Sequence, residues 1–214
     1  MHQTSLIERK FRELPLMGIL RGFSCEDVEH IMPMCISAGL TTIEITMNTP
    51  DAEKMIREAV DVYSDRLTIG AGTVCNTEDL ERALDAGAAF IVMPISDPQV
   101  IRICVQRDVP VFPAAFTPTE IYRAWSLGAT MVKLFPVECL GPKFIRDLNG
   151  PLHQIKLLAT GGINLNNGMS FLDAGAIGLG IGSQLFDKDL IHDRNWDGLA
   201  RHIRSYVQKY VRRT

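Results

Sequence analysis

The chain alternates short, unbroken apolar runs with longer stretches in which apolar residues recur at helical spacing. The runs are LMGIL at 16–20, TTIEI at 41–45, LTIGAG at 67–72, AFIVM at 89–93, VPVFP at 109–113, TMVKLF at 130–135, IKLLAT at 155–160 and IGLGIG at 177–182. Each is too short for a helix and continuously apolar, as expected of a parallel strand covered on both faces. The stretches between them, among them CEDVEHIMPMCISAG, PDAEKMIREAVDVY, NTEDLERALDAG and DPQVIRICVQRD, read as amphipathic helices. Ser24, Thr77 and Asp97 stand where N-caps are expected, ahead of Glu26, of Glu78 with Asp79, and of Pro98.

A weak internal repeat sharpens this pattern. Gly39, Gly87, Gly128 and Gly175 each follow Ala or Leu just before every second run. They recur at intervals of about 45 residues and read as left-handed helix stops. Eight βα units with a two-unit quasi-repeat predict a (β/α)8 TIM barrel, formed by residues 1–214 as one domain. An open doubly wound sheet shares the alternation but normally has fewer parallel strands. The leading segment SLIERKFREL is expected to be an extra N-terminal helix that caps the bottom of the barrel.

Composition narrows the function classes. With 214 residues, 46% of them apolar and 22% charged, the chain has the make-up of a soluble globular domain. The 22 Lys and Arg against 25 Asp and Glu give a net charge of −3 with no long run of either sign, so nucleic acid is a poor candidate partner. Glu8, Arg9, Lys10, Arg12 and Glu13 interrupt the N-terminal segment, which therefore reads neither as a signal peptide nor as a membrane span. Five scattered cysteines without a C-x-x-C pair argue against a disulfide framework or a zinc site and fit a reducing cytoplasm. The five histidines show no ligand spacing, and no metal or other cofactor is expected.

The strongest chemical feature is Lys133, an ammonium embedded in the apolar run TMVKLF. Burying it costs several kcal/mol unless it is paired, so it either snorkels out, pairs with a core carboxylate, or serves as a Schiff-base nucleophile. An ordinary lysine is neutral in only about one molecule in 2,500 at pH 7, and a desolvated pocket raises that share. Glu44 is the same kind of anomaly in TTIEI. In a barrel, Glu44 and Lys133 would point from the second and sixth strands into one interior, as a structural ion pair or as an amine with its proton shuttle. Two glycine-rich strand ends follow, ATGGINLNN and GLGIGSQLF, where barrels commonly bind phosphate through backbone N–H groups. Arg21 and Thr73 end the first and third strands, where a barrel places ligand-contacting side chains; Arg21 is suited to holding a carboxylate.

Together LPLMGILRG, IEITMNTP, IGAGTV, VKLFP, ATGGI and GLGIGS resemble the 2-keto-3-deoxy-6-phosphogluconate (KDPG) / 4-hydroxy-2-oxoglutarate aldolase family, over residues 14 to 186. The resemblance implies a class I aldolase on a compact barrel, usually a homotrimer, that cleaves a phosphorylated keto-deoxy sugar acid to pyruvate and glyceraldehyde 3-phosphate without a metal. It places the Schiff-base lysine on Lys133, the acid/base glutamate on Glu44 and the threonine of the GAGT motif on Thr73. Pro94 and Phe135 fall on positions lining the pyruvate pocket, and Gly161, Gly162, Gly182 and Ser183 on the phosphate site. Asn48 stands where many members carry arginine; ITMNTP and ILRG are similar to the branch that acts on the galactonate epimer (KDPGal), with Arg21 supplying the cation. Thr160 instead is similar to the gluconate enzymes. A metal-free phosphosugar isomerase or a non-catalytic phosphometabolite-binding barrel would share the glycines but has no need of Lys133 with Glu44.

Overall fold

In the computed structural model, which describes residues 3–211, the apolar runs become strands β1 (Leu16–Leu20), β2 (Thr42–Thr46), β3 (Thr68–Gly72), β4 (Ile91–Val92), β5 (Val111–Phe112), β6 (Ala114–Ala115), β7 (Val132–Leu134), β8 (Leu157–Thr160) and β9 (Gly178–Ile181). They form one all-parallel sheet in the order β5-β4-β3-β2-β1-β9-β8-β7-β6. Its two ends, β5 and β6, are one extended run, the stretch 109–113 continued to Ala115 and interrupted at Pro113, which has no N–H to give to a ladder. The carbonyl of Phe112 accepts from Met93 N–H on one side, and those of Pro113 and Ala115 accept from Lys133 and Phe135 N–H on the other. This run therefore closes the ring, and the architecture is the eight-stranded (β/α)8 barrel.

The helix ends follow the local chemistry of the sequence. Ser24 and Asp27 form a reciprocal capping box, and the Asp97 carboxylate accepts from Gln99 and Val100 N–H with Pro98 in the first turn. The third expected cap is corrected by one residue: Asn76, not Thr77, accepts from Asp79 N–H, and Thr77 is the first helical residue. Gly39, Gly87, Gly128 and Gly175 all have positive φ, between 88° and 110°, as helix stops require.

Helix Gln3–Glu13 closes the bottom of the barrel. Its Ile7 and Phe11 pack into the interior against Met17, Phe90, Val92, Phe112, Met131 and Leu158. Burial of each of these two side chains stabilises the fold by about 1.5–3 kcal/mol. Gly178 makes room for the plug, since a Cβ there would lie 2.5 Å from the Phe11 ring. This end of the interior is filled by apolar side chains. Among the described residues, no helix is long and apolar enough to cross a membrane.

Candidate active site

On β7 the alternation of a strand sends Val132 and Leu134 outward into the helix layer and Met131, Lys133 and Phe135 inward. On β2 it sends Ile43 and Ile45 outward and Glu44 inward. Lys133 is 3% exposed and Glu44 is completely buried. Neither carboxylate oxygen of Glu44 has a hydrogen-bond partner in the protein. Burial holds the Lys133 amine below its ordinary pKa, Glu44 pulls it back up, and Arg21 adds to the depression. Burial likewise raises the Glu44 pKa, against the opposing pull of Lys133 and Arg21. Desolvation therefore pushes both groups toward their neutral forms, which is the condition for an amine nucleophile and a carboxyl able to give or take a proton. Gly72 on β3 leaves the space that the Glu44 carboxyl fills: a Cβ there would stand 2.7 Å from its Oε1.

Lys133 borders a cavity of about 430 Å3, which Glu44 itself does not line. Arg21, Lys133, Phe135, Thr160, Gly161, Gly162, Gly182 and Ser183 all line it. Thr73 is tied to its edge, accepting from Arg21 Nη2 at 3.3 Å. Pro94 faces a different, smaller hollow of about 240 Å3 with Ala114, Phe116 and Glu120; Phe135 borders both spaces. Asn48 is exposed and does not line the main cavity, whereas Arg21 does. The Lys133 ammonium lies 5.2 Å from the centre of the Phe135 ring. Among the described residues, no group of three or more His, Cys, Asp or Glu side chains could hold a metal ion.

Residues 7–202 match the family described as KDPG and KHG aldolase. The chain belongs to this family. It is 34% identical to the 2-dehydro-3-deoxy-6-phosphogalactonate aldolase of Escherichia coli, over 91% of this chain and 95% of that protein. It is 32% identical to the 2-dehydro-3-deoxy-phosphogluconate aldolase of Haemophilus influenzae, over 96% of this chain and 97% of that one. A solved native KDPGal structure superimposes with a TM-score of 0.86 at 34% identity, covering 92% of this chain and 95% of the other. The protein is a class I aldolase, a carbon-carbon lyase.

The two glycine loops of this aldolase are held from behind. Gly161 and Gly162 have positive φ, and the Gly162 carbonyl accepts from Asn167 Nδ2 at 2.9 Å. Asn164 and Asn167 brace the next residues by accepting from one another's backbone N–H groups. The C-terminal helix Trp196–Tyr210 then pins the loop: Tyr206 Oη accepts from Leu165 N–H, and Tyr210 Oη donates to the Asn164 carbonyl. The same helix reaches the other loop through His202 Nε2, 2.9 Å from the Gln184 carbonyl.

Sequence reasoning missed Phe23, Gln184, Lys188 and Gly180, which also line the cavity. Gly180 had a signal: 178, 180 and 182 are alternate positions of one strand, hence one face. It is small because a Cβ would stand 2.5 Å from Thr160 Oγ1, a buried hydroxyl without a hydrogen-bond partner. Phe23 and Gln184 sit in connecting segments and Lys188 opens a five-residue helix, none of which periodicity places.

Proposed function

We propose that this aldolase cleaves KDPG to pyruvate and glyceraldehyde 3-phosphate through a Schiff base on Lys133. The observation that carries the reading is a buried lysine that lines a cationic, glycine-rich cavity and is coupled electrostatically to a fully buried glutamate behind it. The neutral Lys133 amine attacks the C2 ketone, and the carbinolamine loses water to give an iminium, with Glu44 relaying the protons. Glu44, through a water, takes the proton of the C4 hydroxyl; the C3–C4 bond breaks, its electron pair passes into the iminium, and the aldehyde departs. The enamine left on Lys133 is protonated at C3, and hydrolysis of the imine returns the amine and frees pyruvate.

The remaining cavity residues divide along the substrate. Arg21, oriented by Thr73, takes the carboxylate. Phe135 forms an apolar wall beside the pyruvyl carbons, with Pro94 behind it. The loops at Gly161, Gly162, Gly182 and Ser183 take the phosphate. KDPG and KDPGal differ only in configuration at C4, and Thr160, which lines the cavity and has an unpartnered hydroxyl, is better placed to read that difference than Asn48, which does not line it. KDPG is accordingly the first substrate, with KDPGal and 4-hydroxy-2-oxoglutarate, cleaved to pyruvate and glyoxylate, as further ones.

The working form is a homotrimer in the cytoplasm, serving an Entner–Doudoroff type of sugar-acid breakdown. Ile95 and Tyr122 are 51% and 52% exposed, and Phe116 and Phe135 are exposed beside the smaller hollow; these side chains suit cover by a second copy. The test is pyruvate release from KDPG, KDPGal and 4-hydroxy-2-oxoglutarate. The expected order puts KDPG first, and absence of pyruvate from all three overturns the assignment.

A further inference from the structure

Besides the buried Lys133, two cations line the cavity, and they belong to different parts of it. Arg21 ends β1, donates to Thr73 at the end of β3, and its charge reaches both Lys133 and Glu44. Lys188 opens the short helix Lys188–His192, beyond the turn after β9 that carries Gly182, Ser183 and Gln184. Its sequence neighbour Asp187 does not neutralise it, because that carboxylate is turned to the helix start, where Oδ1 accepts from Asp189 and Leu190 N–H at 2.9 and 3.1 Å. Among the described residues, no carboxylate is paired with Lys188. The cavity thus carries one unengaged ammonium, on the side of the glycine loops.

Backbone N–H groups bring partial charges to an anion, whereas a free ammonium brings a full one that favours a phosphate over an uncharged hydroxymethyl end. We infer that Lys188 is a specificity-determining residue: its ammonium sets the preference for substrates whose far end carries a phosphate. The inference rests on the phosphate lying at the glycine loops, as proposed above, and adds a side-chain cation to a site otherwise built from backbone. Two cations in separate places then match a substrate with an anion at each end, the carboxylate at Arg21 and the phosphate at Lys188.

The test compares kcat and KM for KDPG and for unphosphorylated 2-keto-3-deoxygluconate in the wild type, Lys188→Gln and Lys188→Arg. Loss of one charge-assisted contact is expected to raise KM for KDPG about tenfold in Lys188→Gln, with kcat little moved. The efficiency ratio of phosphorylated to unphosphorylated substrate falls by the same factor. Lys188→Arg, which keeps the charge, stays within about twofold of wild type. In Lys188→Gln, kcat/KM for KDPG also loses part of its dependence on ionic strength. A folded Lys188→Gln with the wild-type ratio, in an enzyme that itself prefers KDPG, overturns the role of Lys188. If the wild type shows no preference for the phosphorylated substrate, the phosphate site at the glycine loops fails first, and this inference with it.

Discussion

Replacing Gly72 by alanine separates the position of the Glu44 carboxyl from its chemistry. The added Cβ would stand 2.7 Å from Glu44 Oε1, 2.8 Å from its Cδ and 3.1 Å from Thr46 Cγ2. Since carbon atoms pack best about 3.5–4.0 Å apart, the carboxyl must move by roughly 1 Å. The atoms met are the far end of a side chain, so the strand can stay in place while Glu44 swings aside. Overpacking costs about 1–3 kcal/mol, and the stiffer unfolded chain offsets about 0.4–1 of it. A net loss near 1 kcal/mol lowers Tm by about 2–4 °C in a chain of this size. Catalysis suffers far more, because a displacement of about 1 Å in a reacting group is worth about 10²-fold in rate. The assay is pyruvate release under saturating KDPG beside a thermal melt, with borohydride trapping of pyruvate to show that Lys133 still reacts. A folded Gly72→Ala enzyme with wild-type kcat would refute the reasoning and return Glu44 to a structural ion pair.

Glu44→Gln should lower kcat by about 10²–10⁴, the usual contribution of a positioned acid/base. Because the Glu44 charge raises the Lys133 pKa against burial, its loss lets the amine shed its proton at lower pH. The acidic limb of pyruvate adduct formation, followed by trapping across a pH series, therefore moves to lower pH; a shift to higher pH would contradict the assigned coupling. Thr160→Val, which removes the buried hydroxyl of this cavity-lining residue, should shift the ratio of kcat/KM values toward KDPGal, and a wild type that already strongly prefers KDPGal would show that Thr160 is the wrong marker. The double variant Lys133→Met with Glu44→Leu should be inactive yet as stable as the wild type or more so, by up to about 4 kcal/mol in denaturant melts. A marked loss of stability would mean that the buried pair holds the barrel together.

The barrel was legible because each of its strands is buried on both faces and so reads as an unbroken apolar run. Where a run was misjudged, the cause was local: Pro113 removes one ladder donor and splits a strand, and Asn76 competes with Thr77 for the same cap. Lys133 and Glu44 could be singled out because a charge inside an apolar strand violates the pattern around it. Their pairing across the barrel needed only strand order. The connecting segments hid the rest. Phe23 and Gln184 reach the cavity from turns and Lys188 from the start of a five-residue helix; helix Trp196–Tyr210, remote in sequence, pins the segment of Gln184. Pro94 lies in the right part of the chain, yet Phe135 separates it from the main cavity, a relation of side-chain packing that no spacing reveals.

The central claim is that Lys133 forms the covalent intermediate. Incubation with pyruvate and borohydride, followed by peptide mass spectrometry, tests it most directly. The account predicts irreversible inactivation with one reduced pyruvyl group, on the peptide containing Lys133, and neither turnover nor adduct in Lys133→Arg, whose guanidinium stays protonated. An adduct on another lysine, or a fully active enzyme that yields none, would contradict it.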